Sequence, residues 1–286
     1  MINTTVNTKI VGLFGNPLGH SLSPIMQNTA FSLCGIEYIY IPFQVEPGYL
    51  EKAIKAMMIF NFAGANITIP YKTEVIKYID EIDEMAKAIG AVNTLVVKNK
   101  KIIGYNTDGM GFTQSLKNKG FNPKGKIFLL IGAGGAARGL AFTLAFEGAA
   151  HIFIANRTFE KADILAQDVN RVLGSCATAL SLEEAVLRDA EKKSQVLINT
   201  TSIGMYPDTE YMPISDEVLR PELLVCDIVY NPVKTKLLQT AESIGCPILE
   251  GYGMLVNQGA EAFRLWTGKE PPIDAMTRVV LDKLTI

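Results

Sequence analysis

The fold of this chain is decided at residues 129–138, which read LLIGAGGAAR. Apolar residues before the glycines predict a buried strand, and the alanine-rich residues after them predict a helix. Small residues are needed between the two, because Gly132 permits a sharp turn, Gly134 lets backbone N–H groups approach a pyrophosphate, and Ala137 lets the helix pack close to the strand. The first turn of that helix offers unpaired N–H groups to phosphates, so the stretch predicts a dinucleotide-binding turn.

The residues after this turn strengthen a signal that is weak on its own. An apolar run at 151–155 predicts a second strand, and Arg157 follows it, 25 residues after Gly132. An NAD-binding chain places an acidic residue near that offset, about 20 residues on, whereas an arginine suits the 2′-phosphate of NADP. Lys161, one helical turn on, adds a second positive charge. A solvated surface arginine is the alternative, but the order of strand, glycines, helix, strand and arginine favours NADP.

Composition limits the other kinds of partner. The chain has 286 residues, which suggests roughly two domains, and a net charge of −2 without blocks of like charge, which argues against nucleic acid or an anionic membrane surface as partner. Its apolar runs are far shorter than the ~18 residues that span a bilayer. Residues 1–5 lack the pattern of a signal peptide, and we expect a cytoplasmic protein. Four scattered cysteines and two histidines predict reduced thiols and no metal site.

Alternating strands and helices predict an α/β fold with mostly parallel sheets. In the first part of the chain the expected elements are strands at 9–14, 37–43 and 64–69, helices at 23–34 and 49–60, helical segments up to residue 89, and a hairpin at 93–98 and 102–105 that forms one antiparallel edge. In the second part the strands expected for an open, Rossmann-type doubly wound sheet are 127–131, 151–155, 176–179, 196–199, 224–228 and 248–249. The C-terminal helices, 256–266 and 274–284, have no strand after them and are expected to return to the first domain. Helix caps are expected at Ser23 and at a capping box formed by Ser181 and Glu184.

Polar side chains follow several predicted strands, at the edge where open α/β sheets bind their ligands. Ser21 and Ser23 can donate hydroxyl hydrogen bonds to a carboxylate, unless Ser23 serves only as the helix cap. Asn66 and Thr68 alternate with apolar residues and therefore share one face of a strand. Lys72 follows them and can exchange a proton with a substrate, although an exposed lysine is the commoner case.

Later clusters add further candidates. Asp108 either caps the helix after it or orients a substrate hydroxyl and pairs with Lys72. The loop at 199–205 can line the nicotinamide, and Gln258 presents an amide within a C-terminal helix. Each residue has a structural explanation, but together they describe a cleft rich in hydroxyl and amide groups that faces a dinucleotide. A small polyhydroxylated acid fits such a cleft.

Motifs of one family run along nearly the whole chain. They are S-L-S-P at 21–24, N-I-T-I-P-x-K at 66–72, G-A-V-N-T at 90–94, N-T-D-G-x-G at 106–111, the glycine stretch with N-R-T at 156–158, N-T-T-S-x-G-M at 199–205 and M-L-x-x-Q-G-A at 254–260. In this order they resemble the shikimate dehydrogenase family. The resemblance implies reversible, NADPH-dependent reduction of 3-dehydroshikimate to shikimate on the route to aromatic amino acids. It also implies a substrate-binding domain at 1–108, completed by helices at 254–286, and an NADP-binding domain at 109–253.

The resemblance assigns a role to each matching residue. Ser21 and Ser23 correspond to the pair that holds the substrate carboxylate. Lys72 and Asp108 correspond to the catalytic pair, with Lys72 supplying the proton. The implied ligands of the ring hydroxyls are Asn66, Thr68, Asn93, Asp108 and Gln258, with Tyr230 as a further contact. The implied cofactor-binding residues are Gly132, Ala133, Gly134, Gly135, Ala136, Asn156, Arg157, Thr158, Lys161, Thr200, Thr201, Ser202, Met205 and Gly253.

Two other functions stay open. The nearest is a quinate/shikimate dehydrogenase with broader substrate or NAD use, although two serines at the carboxylate site and Arg157 without an acidic neighbour favour shikimate and NADP. A non-catalytic, NADP(H)-responsive regulator on the same fold predicts loss of Lys72 or Asp108, and both are present. Two departures from the family pattern, Lys161 in place of a second arginine and 233–234 in place of Thr-Pro, do not touch the implied chemistry. A homodimer is the assembly considered.

Overall fold

The computed structural model describes residues 4–19 and 21–285. Contacts within the chain divide it into two compact units, one formed by residues 4–107 with Val256–Leu284 and the other by Asp108–Leu255. Across the described ranges, no helix is long and apolar enough to cross a membrane. The first three residues of the N-terminal stretch in which no leader is expected lie outside the described part.

The first unit is built on a mixed six-stranded sheet. Its elements are β1 Lys9–Gly15, α1 Ser23–Leu33, β2 Tyr38–Gln44, α2 Leu50–Ile59, β3 Phe62–Ile67, a 3₁₀ turn Glu74–Tyr78, β4 Glu81–Ile82, α3 Glu84–Ile89, β5 Thr94–Lys98 and β6 Lys101–Tyr105. The strand order is β2-β1-β3-β5-β6-β4.

The second unit is a parallel six-stranded sheet. Its elements are α4 Asp108–Asn118, β7 Ile127–Ile131, α5 Gly135–Phe146, β8 His151–Ala155, α6 Phe159–Leu173, β9 Ala177–Leu180, α7 Glu184–Glu191, β10 Val196–Asn199, a 3₁₀ turn Asp216–Val218, β11 Leu224–Asp227, α8 Lys236–Ile244 and β12 Ile248–Leu249. The strand order is β12-β11-β10-β7-β8-β9. The chain then continues through α9 Tyr252–Thr267 and α10 Ile273–Leu284.

The expected α/β class, with its doubly wound parallel sheet, is confirmed. Helices α9 and α10 return to the first unit as expected. The indole Nε1 of Trp266 on α9 donates a hydrogen bond to the Leu95 carbonyl oxygen at 2.9 Å. The rings of Phe31 on α1 and Phe263 on α9 stack with centroids 5.4 Å apart. Aromatic packing therefore joins α9 to α1, and a buried hydrogen bond joins α9 to the first sheet.

We expected the antiparallel hairpin to form an edge of the first sheet, and this position is wrong. The hairpin forms as predicted, with positive φ at both turn residues, Asn99 and Lys100. However, β5 lies inside the sheet, antiparallel to both β3 and β6, and β4 forms the edge parallel to β6. The region of β4 was expected to be helical, because a strand of only two residues, Glu81 and Ile82, has no room for an alternating pattern.

Both expected helix caps are also wrong. Helix α1 begins at Ser23, its N-cap position is Leu22, and no side chain caps it. The Ser23 backbone N–H instead donates to Ser21 Oγ at 3.3 Å, a local turn one step earlier in the chain. Helix α7 begins at Glu184 without a side-chain cap, and Ser181 Oγ accepts from the Glu183 backbone N–H at 3.5 Å. Ser21 and Ser181 therefore each accept a hydrogen bond from the backbone N–H two residues ahead, and neither Ser23 nor Ser181 caps a helix.

Replacing Gly64 of β3 by alanine is expected to destabilise the first unit. A Cβ there would lie 2.2 Å from the Leu95 carbonyl oxygen and 2.4 Å from Trp266 Nε1. Overpacking of this kind costs about 1–3 kcal/mol, so we expect the thermal unfolding midpoint to fall by roughly 4–10 °C. Emission from Trp266, the only tryptophan, should shift to longer wavelength. Gly12→Ala is the control, because its Cβ would meet side-chain ring carbons of Phe14 at 2.9 Å and Phe62 at 3.1 Å rather than a backbone oxygen, so we expect a smaller loss there, and an equal loss in both variants would contradict the prediction.

Candidate active site

The ends of β7, β8 and β10 lie side by side in the second unit. β7 is the switch point of the sheet, because later strands are added on both of its sides. β7 lies between β8 and β10, so the chain leaves β7 toward one side and later returns on the other. The Gly132 backbone N–H donates to the Ala155 carbonyl oxygen at 2.7 Å, and the Thr200 N–H donates to the Ile131 carbonyl oxygen at 2.9 Å. Open α/β sheets bind their ligands at such a switch point.

The glycines at this point have different structural tasks. Gly132 has a φ of +116°, and a Cβ there would lie 2.5 Å from Thr200 Oγ1, so both backbone conformation and space require glycine. A Cβ built on Gly134 or Gly135 would have no described atom within 4 Å. Gly134 is the N-cap of α5 and no side chain caps the helix. The space above the first turn of α5 therefore fits a pyrophosphate, whose oxygens can accept from the N–H groups there.

Two exposed cations follow β8. Arg157 and Lys161 are both exposed, and within the described ranges no acidic side chain forms an ion pair with either. The side chain of Asn156 donates to the Thr158 carbonyl oxygen at 2.8 Å and so shapes the turn that carries Arg157. By contrast, Arg138 of the glycine motif pairs with Asp168 at 2.6 Å. Arg157 and Lys161 therefore remain available for a 2′-phosphate.

A buried carboxylate that the sequence analysis missed holds the loop after β10. Asp227, at the end of β11, is only 1% exposed. Its Oδ1 accepts from Asn199 Nδ2 at 3.0 Å and from the Val229 N–H at 2.9 Å, and its Oδ2 accepts from Thr235 Oγ1 at 2.7 Å. Asn199 Oδ1 in turn accepts from the Thr201 N–H at 3.0 Å. The Asp227 carboxyl thus holds the loop that carries Thr201, Ser202 and Met205. The only sign of this role in the sequence is an aspartate at the end of an apolar strand.

The remaining candidates of the second unit lie on three elements. Asp108 is the first residue of α4 and is half-buried. Tyr230 follows β11 and is half-buried, and burial raises the pKa of its phenol above the ordinary value. A Cβ on Gly253 would lie 3.0 Å from Ser115 Oγ on α4, so glycine permits the close approach of α9 to α4 there.

In the first unit, buried hydrogen bonds join two of the predicted substrate ligands, Asn66 and Asn93. The Tyr40 hydroxyl donates to Asn66 Oδ1 at 2.8 Å. Asn66 Nδ2 donates to the Asn93 carbonyl oxygen at 3.1 Å. Asn93 Oδ1 accepts from the Thr107 backbone N–H at 2.8 Å. These four residues are at most 7% exposed, so the network fixes the amides before any ligand arrives.

Thr68 and Lys72 lie on the segment that follows β3. A Cβ on Gly15 would lie 2.3 Å from Thr68 Cγ2, so the end of β1 and this segment touch directly. The Lys72 carbonyl oxygen accepts from the Val92 N–H at 2.7 Å, which places the lysine backbone beside the Asn93 segment. The side chain of Lys72 is half-buried.

Gln258 reaches the first unit on α9. Its neighbour Gly259 has a carbonyl oxygen that accepts from Gln27 Nε2 at 2.8 Å, and a Cβ on Gly259 would lie 2.2 Å from Met26 Cε. Helix α9 therefore packs on α1, the helix that begins with Ser23. The first unit offers hydroxyl, amide and ammonium groups, which suit a polyhydroxylated acid, and the second offers a dinucleotide site. Across residues 4–19 and 21–285, no group of three His, Cys, Asp or Glu side chains could hold a metal.

Asp227 is expected to make stability depend on pH. Burial raises the pKa of its carboxyl from 3.8 to about 6. Because the folded state binds this proton more tightly than the unfolded state, the contribution to stability is fully present below about pH 4 and is lost as the pH rises through about 6. Relative to Asp227→Asn, the natural chain should lose stability of the order of 3 kcal/mol between about pH 4 and pH 7. Denaturant unfolding at both pH values measures this, and Asp208→Asn, at an exposed position, is the control. A difference that does not change with pH would contradict the prediction.

Three family models match the chain in order. Residues 13–95 match the shikimate dehydrogenase substrate binding domain, residues 115–207 match shikimate / quinate 5-dehydrogenase, and residues 251–281 match the shikimate 5′-dehydrogenase C-terminal domain. The matches cover the polar segments of the first unit, the glycine turn and helix α9.

Known proteins match over nearly the full length. The NADP⁺-dependent shikimate dehydrogenase of Alkaliphilus oremlandii is 46% identical over 281 residues, which cover 98% of each chain. A crystal structure of a shikimate dehydrogenase in complex with NADP⁺ superposes with a TM-score of 0.93 at 41% identity and covers 99% of this chain and 98% of that one. The Listeria monocytogenes shikimate 5-dehydrogenase, solved with shikimate and NAD, gives a TM-score of 0.93 at 37% identity, with 97% and 98% covered. The chain belongs to the shikimate dehydrogenase family.

Proposed function

We propose that this chain is an NADP-dependent shikimate dehydrogenase. It catalyses the reversible reduction of 3-dehydroshikimate to shikimate on the route to aromatic amino acids. The observation that carries the proposal is that one chain, matched over nearly its full length by an enzyme of this name, keeps most of the substrate-site polar residues in one unit and the dinucleotide turn in the other. We infer that residues 4–107 with Val256–Leu284 bind the substrate and that Asp108–Leu255 bind the cofactor, with the boundaries expected at 1–108, 109–253 and 254–286.

The substrate is held through its carboxylate and its ring hydroxyls. Ser21 and Ser23 donate hydroxyl hydrogen bonds to the carboxylate, which accepts strong bonds because it is charged. The ring hydroxyls contact the side chains of Asn66, Thr68, Asn93, Asp108 and Gln258, and Tyr230 adds a further contact. Quinate carries an extra hydroxyl on the carbon that bears the carboxylate, so the two serines also decide whether quinate is accepted.

When bound, NADPH would supply the hydride that reduces the carbonyl carbon of 3-dehydroshikimate. Lys72 donates a proton to the carbonyl oxygen as negative charge develops there, so the carbonyl becomes a hydroxyl group. Asp108 orients the substrate oxygen and keeps Lys72 in place. In the reverse direction Lys72 takes the proton from the hydroxyl. The residues of the chain thus contribute alignment and proton transfer.

The cofactor is held along the switch point of the second sheet. The pyrophosphate would be held at the first turn of α5 by Gly132, Ala133, Gly134, Gly135 and Ala136. The 2′-phosphate would be held by Asn156, Arg157, Thr158 and Lys161. The nicotinamide end would be held by Thr200, Thr201, Ser202, Met205 and Gly253. Open space above α5 and the unpaired cations after β8 support this placement.

Removal of the Lys72 ammonium tests the enzyme assignment. In a steady-state assay crossing shikimate and quinate with NADP and NAD, we expect high turnover only with shikimate and NADP. Lys72→Met keeps the unbranched side chain up to the position of Cε but removes the ammonium group that transfers the proton, so kcat should fall by about 10²–10⁴-fold. Lys87→Met, on the surface helix α3, is the control.

Each other outcome of this assay identifies an alternative. Comparable turnover with quinate or NAD would place the chain with broader-specificity dehydrogenases. NADP binding without turnover of any pair would favour the non-catalytic regulator. An unchanged kcat in Lys72→Met, with the natural chain active, would remove Lys72 from the mechanism.

Loss of the Arg157 guanidinium tests the 2′-phosphate site. A hydrogen bond between charged groups contributes about 1.5–3 kcal/mol, so Arg157→Ala should lower kcat/KM for NADP by about 10–100-fold and leave kcat/KM for NAD nearly unchanged. Arg171→Ala is the matched control, because Arg171 lies on α6 and pairs with Asp168. Equal losses with both cofactors would show that Arg157 does not read the 2′-phosphate.

We also propose a cytoplasmic homodimer. Strand β2 forms an edge of the first sheet, and beside it an open apolar groove of about 940 Å³ is lined by Phe14, Phe43, Phe60 and other side chains. Phe60 and Ile59 are 63% and 75% exposed. A patch of this kind favours a second copy as the covering partner, because a twofold contact matches the patch to itself. The molar mass in solution, measured by analytical ultracentrifugation, tests the assembly.

A further inference from the structure

Tyr40 lies at the centre of the buried network of the first unit. It stands in the middle of β2, is 2% exposed, and its ring lies 6.1 Å from that of Trp266. In the sequence it resembles an ordinary apolar strand residue. Its hydroxyl, however, donates to Asn66 Oδ1 at 2.8 Å. Tyr40 therefore holds the acceptor atom of a predicted ligand of a ring hydroxyl.

The hydrogen bonds of Asn66 limit what this residue can offer a substrate. Both N–H groups of its amide are used, since Nδ2 donates to the Asn93 carbonyl oxygen at 3.1 Å and to Thr94 Oγ1 at 3.0 Å. Its Oδ1 accepts from Tyr40 and keeps a second lone pair. Asn66 can therefore act toward a substrate only as a hydrogen-bond acceptor.

We propose that Tyr40 is a positioning residue of the substrate site, which holds Asn66 Oδ1 as the acceptor for a substrate hydroxyl. This inference rests on the proposed function. A ketone oxygen cannot donate a hydrogen bond, so Asn66 contacts a hydroxyl that the reaction leaves unchanged. That contact is equally strong before, during and after hydride transfer, and its loss changes KM rather than kcat.

Tyr40→Phe tests the inference, because it removes one oxygen and keeps the buried ring. One hydrogen bond contributes about 0.5–1.5 kcal/mol, so we expect KM for shikimate to rise by about 3–10-fold. The values of kcat and of KM for NADP should stay within about twofold. Tyr38→Phe is the matched control on the same strand, since the Tyr38 hydroxyl makes only a long 3.5 Å contact with the Trp266 carbonyl oxygen.

A double-mutant cycle separates positioning from general destabilisation. If Tyr40 acts through Asn66, the rise in KM for shikimate in Tyr40→Phe with Asn66→Ala should be smaller than the product of the two single effects. The thermal midpoint reports any purely structural loss.

Two failures can be told apart. A natural chain without shikimate turnover overturns the proposed function itself. An active natural chain, with Tyr40→Phe at the natural KM or with kcat and both KM values changed alike, overturns only the role of Tyr40.

Discussion

Strand-terminal asparagines hold the loops that carry the chemistry in both units. Asn66 lies next to the end of β3 and Asn199 ends β10, and both are at most 7% exposed. A buried amide that lacks partners costs free energy, so each must find donors and acceptors nearby. Asn66 finds them in the Asn93 segment, and Asn199 finds them in Asp227 and Thr201. The cost of leaving these groups unpaired is what gives each loop one conformation.

Close backbone approach is the second constraint, and glycines meet it. Gly132 lets the turn after β7 pass Thr200, and Gly259 lets α9 pass Met26 of α1. A proposed site residue lies beside each position: Gly134 is two residues after Gly132, and Gln258 immediately precedes Gly259. The packing of elements and the placement of functional groups therefore depend on the same missing Cβ atoms.

The sequence predicted what local patterns determine and missed what tertiary contacts determine. The strand, glycine turn and helix around Gly132 were predicted, because periodicity and small residues are encoded within a few positions. The two-residue strand β4 was missed and the Ser23 cap of α1 was wrongly predicted, because pairing with β6 and the bond from Ser23 N–H to Ser21 Oγ depend on the folded chain. Tyr40 and Asp227 resemble unremarkable strand residues, and only their buried partners reveal them.

The direction of hydrogen bonds also explains how such a site distinguishes the oxygen that reacts from those that do not. A ketone oxygen only accepts, whereas a hydroxyl both donates and accepts. Both N–H groups of the Asn66 amide donate to protein atoms, so Asn66 offers a substrate only a hydrogen-bond acceptor. The Lys72 ammonium has only donors. Under the proposed function, Asn66 Oδ1 therefore repels the ketone oxygen and Lys72 attracts it. The buried network does not touch the reacting carbon, but it still selects the orientation in which the ketone group lies beside Lys72.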